Sequence, residues 1–402
     1  MIGWPIVTLG DVFEIARGGS PRPIEDFITD DPGGINWIMI SDASEGSKYI
    51  TSTRRRIRPE GAQRSRKVKP GDFLLTNSMS FGRPYIMRTS GCIHDGWLVL
   101  SPRTGNVNAD FFYHLLGSKR IYAEFKRRAA GVTVKNLNID LVRGVKISLP
   151  PLSEQRRIAE ILDKADALRA KRRAVLARLD TLAQSIFLDM FGDPATNPKG
   201  WARRTLGELT SEFRYGSSNK SASQGKPALR IPNVVGGAVD PTELKLVPVD
   251  EAEFERLRLR DGDLLLVRTN GNPDFVGRCA VFDSRAVSST GFAGDDFIFA
   301  SYLIRARLNA NLIEPIFLKE YLLGAEGCRQ LRSRSKTSAG QYNINTESLR
   351  TVPVLVPPLS LQREFVRWIV HLEKLKLMHL TSLAQLDAVF TTLQHHAFQG
   401  DL

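Results

Sequence analysis

The sequence predicts an α+β chain made of one unit used twice: two mixed α/β domains in repeat, separated by two long helices packed on each other as a coiled coil. Three observations lead to this fold. Six sequence blocks recur in the same order, each copy contains one very long stretch at helical period, and the residues ahead of each stretch mix short apolar runs with turns.

The repeat starts at Trp4-Pro-Ile-Val-Thr-Leu-Gly-Asp11, which returns as Trp201-Ala-Arg-Arg-Thr-Leu-Gly-Glu208. Val68-Lys-Pro-Gly-Asp-Phe-Leu-Leu75 returns as Leu259-Arg-Asp-Gly-Asp-Leu-Leu-Leu266, and Gly82-Arg83 as Gly277-Arg278. Leu115-Leu-Gly117 matches Leu322-Leu-Gly324, and Asn136-Leu-Asn138 matches Asn343-Ile-Asn345. Leu149-Pro-Pro-Leu-Ser-Glu-Gln-Arg156 matches Val356-Pro-Pro-Leu-Ser-Leu-Gln-Arg363. The separations drift by a few residues around 200, the signature of a duplication with loop insertions.

Each Pro-Pro-Leu-Ser ends a strand-like run and opens a helix, with Ser153 and Ser360 standing where an N-cap belongs. Apolar positions then alternate three and four apart for about 38 residues, the spacing of a coiled-coil seam. In the first copy this seam reads Ile158, Ile161, Ala165, Leu168, Arg172, Val175, Leu179, Leu182, Ile186. In the second it reads Phe365, Trp368, Leu372, Leu375, His379, Ser382, Leu386, Val389, Leu393, each 207 residues later. A helix of this length, roughly 57 Å, exceeds a compact domain of about 150 residues, so the two helices are expected to pack on each other. Phe191-Gly-Asp-Pro194 and Phe398-Gln-Gly-Asp401 supply matching stops. The predicted boundaries are residues 1–152 and 200–359 for the two domains and 153–192 and 360–399 for the two helices. Ahead of the helices, strands are predicted over 73–76, 97–100, 264–269 and 302–307, and short helices over 109–120 and 315–323.

Composition bounds the function. The 402 residues carry 56 Lys+Arg against 43 Asp+Glu, a net charge of +13, which points to a polyanionic partner, most simply double-stranded DNA. Three widely spaced cysteines fit a reducing cytosol, and no run approaches the roughly 18 apolar residues of a membrane span, so a cytoplasmic protein without a membrane partner is expected.

Motifs for chemistry fail one by one. Asn272-Pro-Asp-Phe275 departs from the Asn-Pro-Pro-Tyr/Phe motif of amino-methyltransferases at Asp274, with no glycine-rich cofactor loop at suitable spacing. Pro273-Asp274 lacks the downstream acid-x-lysine of a nuclease, and Gly225-Lys226 is followed by Pro227 rather than the Ser or Thr of a P-loop. Cys92-Ile-His94 is a single pair without a second zinc-ligand pair, and His395-His396 ends a helix. No catalytic residue, metal site or cofactor is predicted.

Polar and basic loops, in contrast, recur at matching places. Arg17-Gly-Gly-Ser-Pro-Arg22, with Arg17, Ser20 and Arg22, aligns with Arg214, Tyr215, Ser217, Asn219 and Lys220, and its glycines are expected to let the backbone approach a phosphate. Thr76, Asn77 and Ser78 with Arg83 align with Arg268, Thr269 and Asn270 with Arg278. Lys135 and Asn136, and the segment from Lys336 to Gln341, precede the last run before each helix; Arg55 sits in a basic stretch found only in the first copy. Arg and Asn side chains can read base edges, while lysines and other arginines hold phosphates.

Pro-Pro-Leu-Ser-x-Gln-Arg opening a long helix, after a domain that begins Trp-x-x-x-Thr-Leu-Gly-Asp/Glu, occurs twice and covers the whole chain. This arrangement resembles the specificity subunit of type I restriction-modification systems. The resemblance implies two target recognition domains, each reading one half of a bipartite DNA sequence in the major groove, spaced by antiparallel helices. It implies two modification (methyltransferase) subunits docked on the helices and two restriction (translocase/endonuclease) subunits completing the complex, the chain itself being non-catalytic. Leu361 where the first copy has Glu154, and His379 and Ser382 in the seam, make the two docking faces unequal in detail. The rival readings are a coiled-coil adaptor that reads no DNA and a stand-alone DNA methyltransferase.

Overall fold

A computed structural model describes residues 3–44, 46–77, 82–129, 137–338 and 340–402. The chain divides into two compact units, one of residues 1–175 with 379–402, the other of residues 176–378. Each contains one α/β domain and one half of each long helix.

In the first unit a central five-stranded sheet runs in the order Phe13–Arg17, Trp97–Pro102, Phe73–Thr76, Pro84–Met87, Tyr49–Ile50. A second five-stranded sheet is built from Ile28–Thr29, Arg55–Ile57, Ile35–Ile38, Gly91–Ile93 and Arg66–Val68. In the second unit the central sheet has four strands, Thr210–Tyr215, Leu303–Leu308, Leu264–Val267 and Cys279–Val281. Two three-stranded sheets flank it, one of Lys245–Val247, Lys226–Leu229 and Ile298–Phe299, the other of Thr269–Asn270, Gln341–Asn343 and Lys336–Ser338. The helix expected over 109–120 is broken at Gly117 into Ala109–Leu116 and Lys119–Ala129, while Pro315–Leu323 forms as expected.

The recurring blocks are local hydrogen-bond devices. In Thr-Leu-Gly-Asp/Glu the threonine and acid form a capping box: Asp11 N donates to Thr8 Oγ1 and the Asp11 carboxylate accepts from Thr8 N, with Thr205 and Glu208 doing the same. In Pro-Gly-Asp and Asp-Gly-Asp, Gly71 and Gly262 take φ near +90°, and the aspartate bonds back to the amide of Lys69 or Arg260.

Pro-Pro-Leu-Ser begins its helix one residue sooner than expected. The helices span Leu152–Phe191 and Leu359–Gln399, so Ser153 and Ser360 fall inside the first turn rather than at the N-cap. The conserved work at this end belongs to the glutamine two residues on. Gln155 accepts from Asn108 N and donates to the carbonyls of Asn106 and Pro150; Gln362 accepts from Glu314 N and donates to the carbonyls of Leu312 and Pro357. A buried amide with its donors and acceptors filled ties each helix start to the loop before the short helix of its own domain. At the far ends Gly192 and Gly400 adopt positive φ and close the last turn.

The helices are antiparallel within each unit. In the first, Arg169 Nε bonds Asp387 Oδ1 at 2.6 Å and Arg172 meets His379; in the second, Lys376 Nζ bonds Asp180 Oδ1 at 2.6 Å and the Phe187 ring meets Phe365. The phase of the seam differs from expectation. Leu168, Leu182, Trp368 and Val389 are 53%, 40%, 52% and 52% exposed, whereas Leu162, Leu176, Ile369 and Phe390 are buried. The seam therefore steps four then three, through Ile158, Leu162, Ala165, Arg169, Arg172, Leu176, Leu179, Ala183 and Ile186, matched by residues 207 positions later. Leu179, Ile186, Leu386 and Leu393 keep their predicted places, while Ile161 and Leu375 lie half-buried at its flank.

The helices also pack on the domains. Ile158 and Leu162 with Phe390, Ala397 and Phe398 join the core of the first domain, where the Phe398 ring meets Phe111 at 5.7 Å. Phe187 and Phe191 with Phe365 and Ile369 join the core of the second, around Phe317. Each domain thus closes its core on both helices. Among the described residues, no helix is long and apolar enough to cross a membrane.

Candidate nucleic-acid interface

The central sheets define the equivalence of the two copies more finely than the sequence does. Leu98 pairs with Arg17 in the first and Ile304 with Tyr215 in the second. Trp97 pairs with Thr76 and Leu303 with Val267. A bulge at Ser211 adds one residue to the strand Thr210–Tyr215, so Arg17 corresponds to Tyr215 rather than to Arg214. Likewise Asn77, not Thr76, corresponds to Arg268. The backbone confirms this: Asn77 N donates to Gly96 O and its carbonyl accepts from Leu137 N, as Arg268 N donates to Tyr302 O and its carbonyl accepts from Ile344 N.

Three strand ends, far apart in sequence, meet in each unit. In the first, Arg17 Nε donates to the Asp95 carbonyl at 3.1 Å, Ser20 Oγ donates to Asp95 Oδ1 at 2.9 Å, and Arg22 lies 3.8 Å from Asp95 Oδ2. Asn77 Nδ2 donates to the same Asp95 carbonyl at 3.4 Å, but the residue is 2% exposed, which makes it a support for the turn rather than a surface contact. The bond from Ser20, aided by His94 and Arg17, holds the Asp95 carboxyl below the usual carboxylate range. His94 is tucked beside Trp37 and Trp97, and burial pushes its pKa down.

In the second unit the Arg268 guanidinium lies over the Tyr215 ring at 4.7 Å and donates to the Ser301 carbonyl at 3.4 Å. The Tyr215 hydroxyl accepts from Thr346 N at 3.1 Å. Beside them the small sheet pairs Asn270 with Tyr342 and Lys336 with Asn343, and Thr269 Oγ1 donates to Gln341 Oε1. Arg268, Tyr215, Asn270, Lys336 and Gln341 are brought to one place.

Several other predicted contacts are held within the fold. Arg214 is held by Glu212, Nε to Oε1 at 2.8 Å. Ser217 is buried and donates to Glu253, to which Asn219 also donates. Arg278 donates to the carbonyls of Asp274 and Val235 and lies over the Phe275 ring. Arg83 lines a cleft of about 810 Å³ with Lys119, Arg169 and Arg173. Lys220 and Arg55 are exposed, Arg55 on a strand of the second sheet outside the cluster. Ser78, Lys135 and Asn136 lie outside the described residues. The glycines also need rereading: a Cβ on Gly18 would sit 2.0 Å from the His94 carbonyl oxygen, and one on Gly216 2.2 Å from that of Phe299. These glycines admit the chain's own backbone, not a phosphate.

Sequence reading missed Asp95 and Ser301. The signal was available in the turn before each central strand, but it is visible only once the strands Trp97–Pro102 and Leu303–Leu308 are aligned.

Comparison with known proteins fits this geometry. A family model described as the type I restriction modification DNA specificity domain matches residues 1–178. The chain is similar to the type I restriction enzyme EcoKI specificity subunit of Escherichia coli (strain K12), 24% identical over 428 residues that span 100% of this chain and 89% of the relative. The StySPI specificity subunit of Salmonella potsdam is 23% identical over the same shares. The solved type I restriction-modification S subunit from M. genitalium shares the fold, with a TM-score of 0.55 at 16% identity over 98% of this chain and 96% of that one. A chain from a structural study of assembly and conformational transition of the type I R-M system gives 0.61 at 18% identity over 100% and 99%. The chain is thus similar over its whole length to type I restriction-modification specificity subunits, and the specificity-domain family model matches its first 178 residues.

Proposed function

We propose that this chain confers DNA sequence specificity on a type I restriction-modification complex in the cytoplasm and is itself non-catalytic. Residues 1–152 and 200–359 are the two target recognition domains, each reading one half of an asymmetric bipartite site. Residues 153–192 and 360–399 are the spacer helices, on which two modification subunits dock, joined by two restriction subunits in the full enzyme. The observation that carries this reading is the pair of strand-end clusters. Their backbone bonds are the same in both copies, yet the side chains they present differ: Arg17 and Asp95 in one, Tyr215, Arg268 and Ser301 in the other. A constant frame with variable donors and acceptors is what base-edge recognition requires.

Outward residues of the helices support the docking. Leu182 and Val389, 207 residues apart, are both exposed, and the second helix adds Trp368, Leu377 and Met378. Apolar side chains facing water along a helix pair fit a protein partner.

The test is methylome sequencing of a host that carries this chain with its modification subunit. The expected result is one asymmetric motif of two unlike halves around an unspecified gap. A palindromic motif, or no motif tied to this chain, would overturn the reading.

A further inference from the structure

Asp95 stands out among the residues of the first cluster. It puts an anionic side chain, 46% exposed, at the centre of Arg17, Ser20 and Arg22 on a chain of net charge +13. A DNA phosphate facing this cluster would be repelled by that carboxylate, so it does not serve affinity for the backbone.

Nor is it needed to hold the turn. The carbonyl of this residue is bound from the same strand end in both copies, by Asn77 Nδ2 on Asp95 and by Arg268 on Ser301, with Arg17 adding a second bond in the first. Because Ser301 occupies the equivalent place, the frame tolerates a hydroxyl where the first copy has a carboxylate. The side chain at this position therefore varies while the backbone frame stays the same. In the first copy Ser20 anchors Oδ1, which orients the group and leaves Oδ2, 3.8 Å from the exposed Arg22, on the open side.

An ionised carboxylate only accepts hydrogen bonds. In the major groove the donors are the amino groups of cytosine and adenine, and Asp or Glu pairs with cytosine N4. We propose that Asp95 is a specificity-determining residue of the first recognition domain, its carboxylate accepting from the N4 amino group of a cytosine in that domain's half-site. Ser301 is the corresponding position of the second domain. This rests on the reading of the chain as a DNA specificity subunit.

The test uses the full chain in complex with its modification subunits, with competition binding and methylation measured on a library in which each base pair of the wild-type site is varied. Asp95→Asn keeps an acceptor for Ser20, and Asp95→Ser copies the second domain, so a folding defect in one variant leaves the other to be read; melting temperatures check both. The expected result is a loss of about 5- to 150-fold in discrimination at one base pair of one half-site, the other half-site being unchanged. Ser301→Asp should in turn alter preference at one base pair of the other half-site. Two outcomes overturn the inference: unchanged preferences, or tighter binding by the same factor on target and random DNA, which would make Asp95 a bare charge. A wild-type complex without sequence preference would instead defeat the functional reading on which the inference stands.

Discussion

The strand pairing that aligns the two copies also shows how differently they fill one frame. Arg305, fully buried, donates to the Arg258 carbonyl at 2.8 Å and pairs with Glu212, which also holds Arg214, while Arg307 bonds Asp263. The register puts Val99, Ala16 and Ser101 at the places of Arg305, Arg214 and Arg307 in the first domain. The same sheet position is thus apolar in one copy and ionic in the other. Burial pushes the Glu212 carboxyl up, but its bonds to Arg214 and Arg305 outweigh that and hold it below the usual range. Such a group stabilises the fold above its unfolded pKa, about 4.3, and the contribution is lost as pH falls through the lowered folded value. Glu212→Gln should cost roughly 3 kcal/mol at pH 7, because it strands the buried Arg305 charge. Thermal melts of wild type and variant as a function of pH should differ at neutral pH and draw together as pH falls below the unfolded value, about 4.3, and through the lowered folded value. A gap that persists undiminished at low pH would assign the loss to packing instead.

At the scale of elements, what could be read from the sequence were the features that act locally. The capping boxes, the aspartate turns and the glycine stops involve residues within a few positions of one another, so their spacing survives in the text of the chain; the glutamine at each helix start recurs in the text too, but its bonds to a loop nearly 50 residues earlier do not show there. The seam's phase did not survive. Adjacent pairs offer two solutions at nearly every turn: Ile161 or Leu162, Leu168 or Arg169, Val175 or Leu176, Leu182 or Ala183. Hydrophobicity alone prefers Leu168 and Leu182, but the seam takes Arg169, whose guanidinium lies 4.1 Å from the Phe390 ring centroid and pairs with Asp166 and Asp387, and it takes the small Ala183. The proposed reading cluster was equally hidden. Residues 17, 77 and 95 meet only through sheet register, and a one-residue bulge shifts the repeat where it matters. The two phases make opposite predictions for stability. Leu162→Ala should destabilise the isolated chain by about 2–5 kcal/mol, whereas Leu168→Ala should stay within about 0.5 kcal/mol of wild type. Chemical denaturation decides between them, and equal losses would restore the original phase.

On the scale of the whole molecule, the helix pairing rests on contacts that repeat at a separation of 207. Arg169 with Asp387 and Lys376 with Asp180 are the same ion pair twice, since Lys376 occupies the place of Arg169 and Asp387 that of Asp180. A helix paired with a second copy of itself therefore keeps both ion pairs, as Arg169 with Asp180 of the other copy. The aromatic end is nearly conserved too, with Phe191 standing where Phe398 packs on Phe111. Two contacts change for the worse. Arg172, which meets His379, would face its own copy, and Phe187 would replace Gln394, which donates to the His114 carbonyl. Against this stand the residues left in water without a partner, Leu176, Leu179 and Phe191 among them, each worth roughly 1.5–3 kcal/mol on burial. Arg172 can carry its charge to the edge of the seam on its flexible stem. A fragment of residues 1–197 should accordingly dimerise, and Arg172→Leu should tighten that dimer by about tenfold or more. With modification subunits it should methylate a palindrome made from the first half-site twice. Light scattering gives the mass and methylation mapping the motif. A folded monomer at tens of micromolar would show that the first helix satisfies its seam on its own domain, and the interchangeability of the two helices would be refuted.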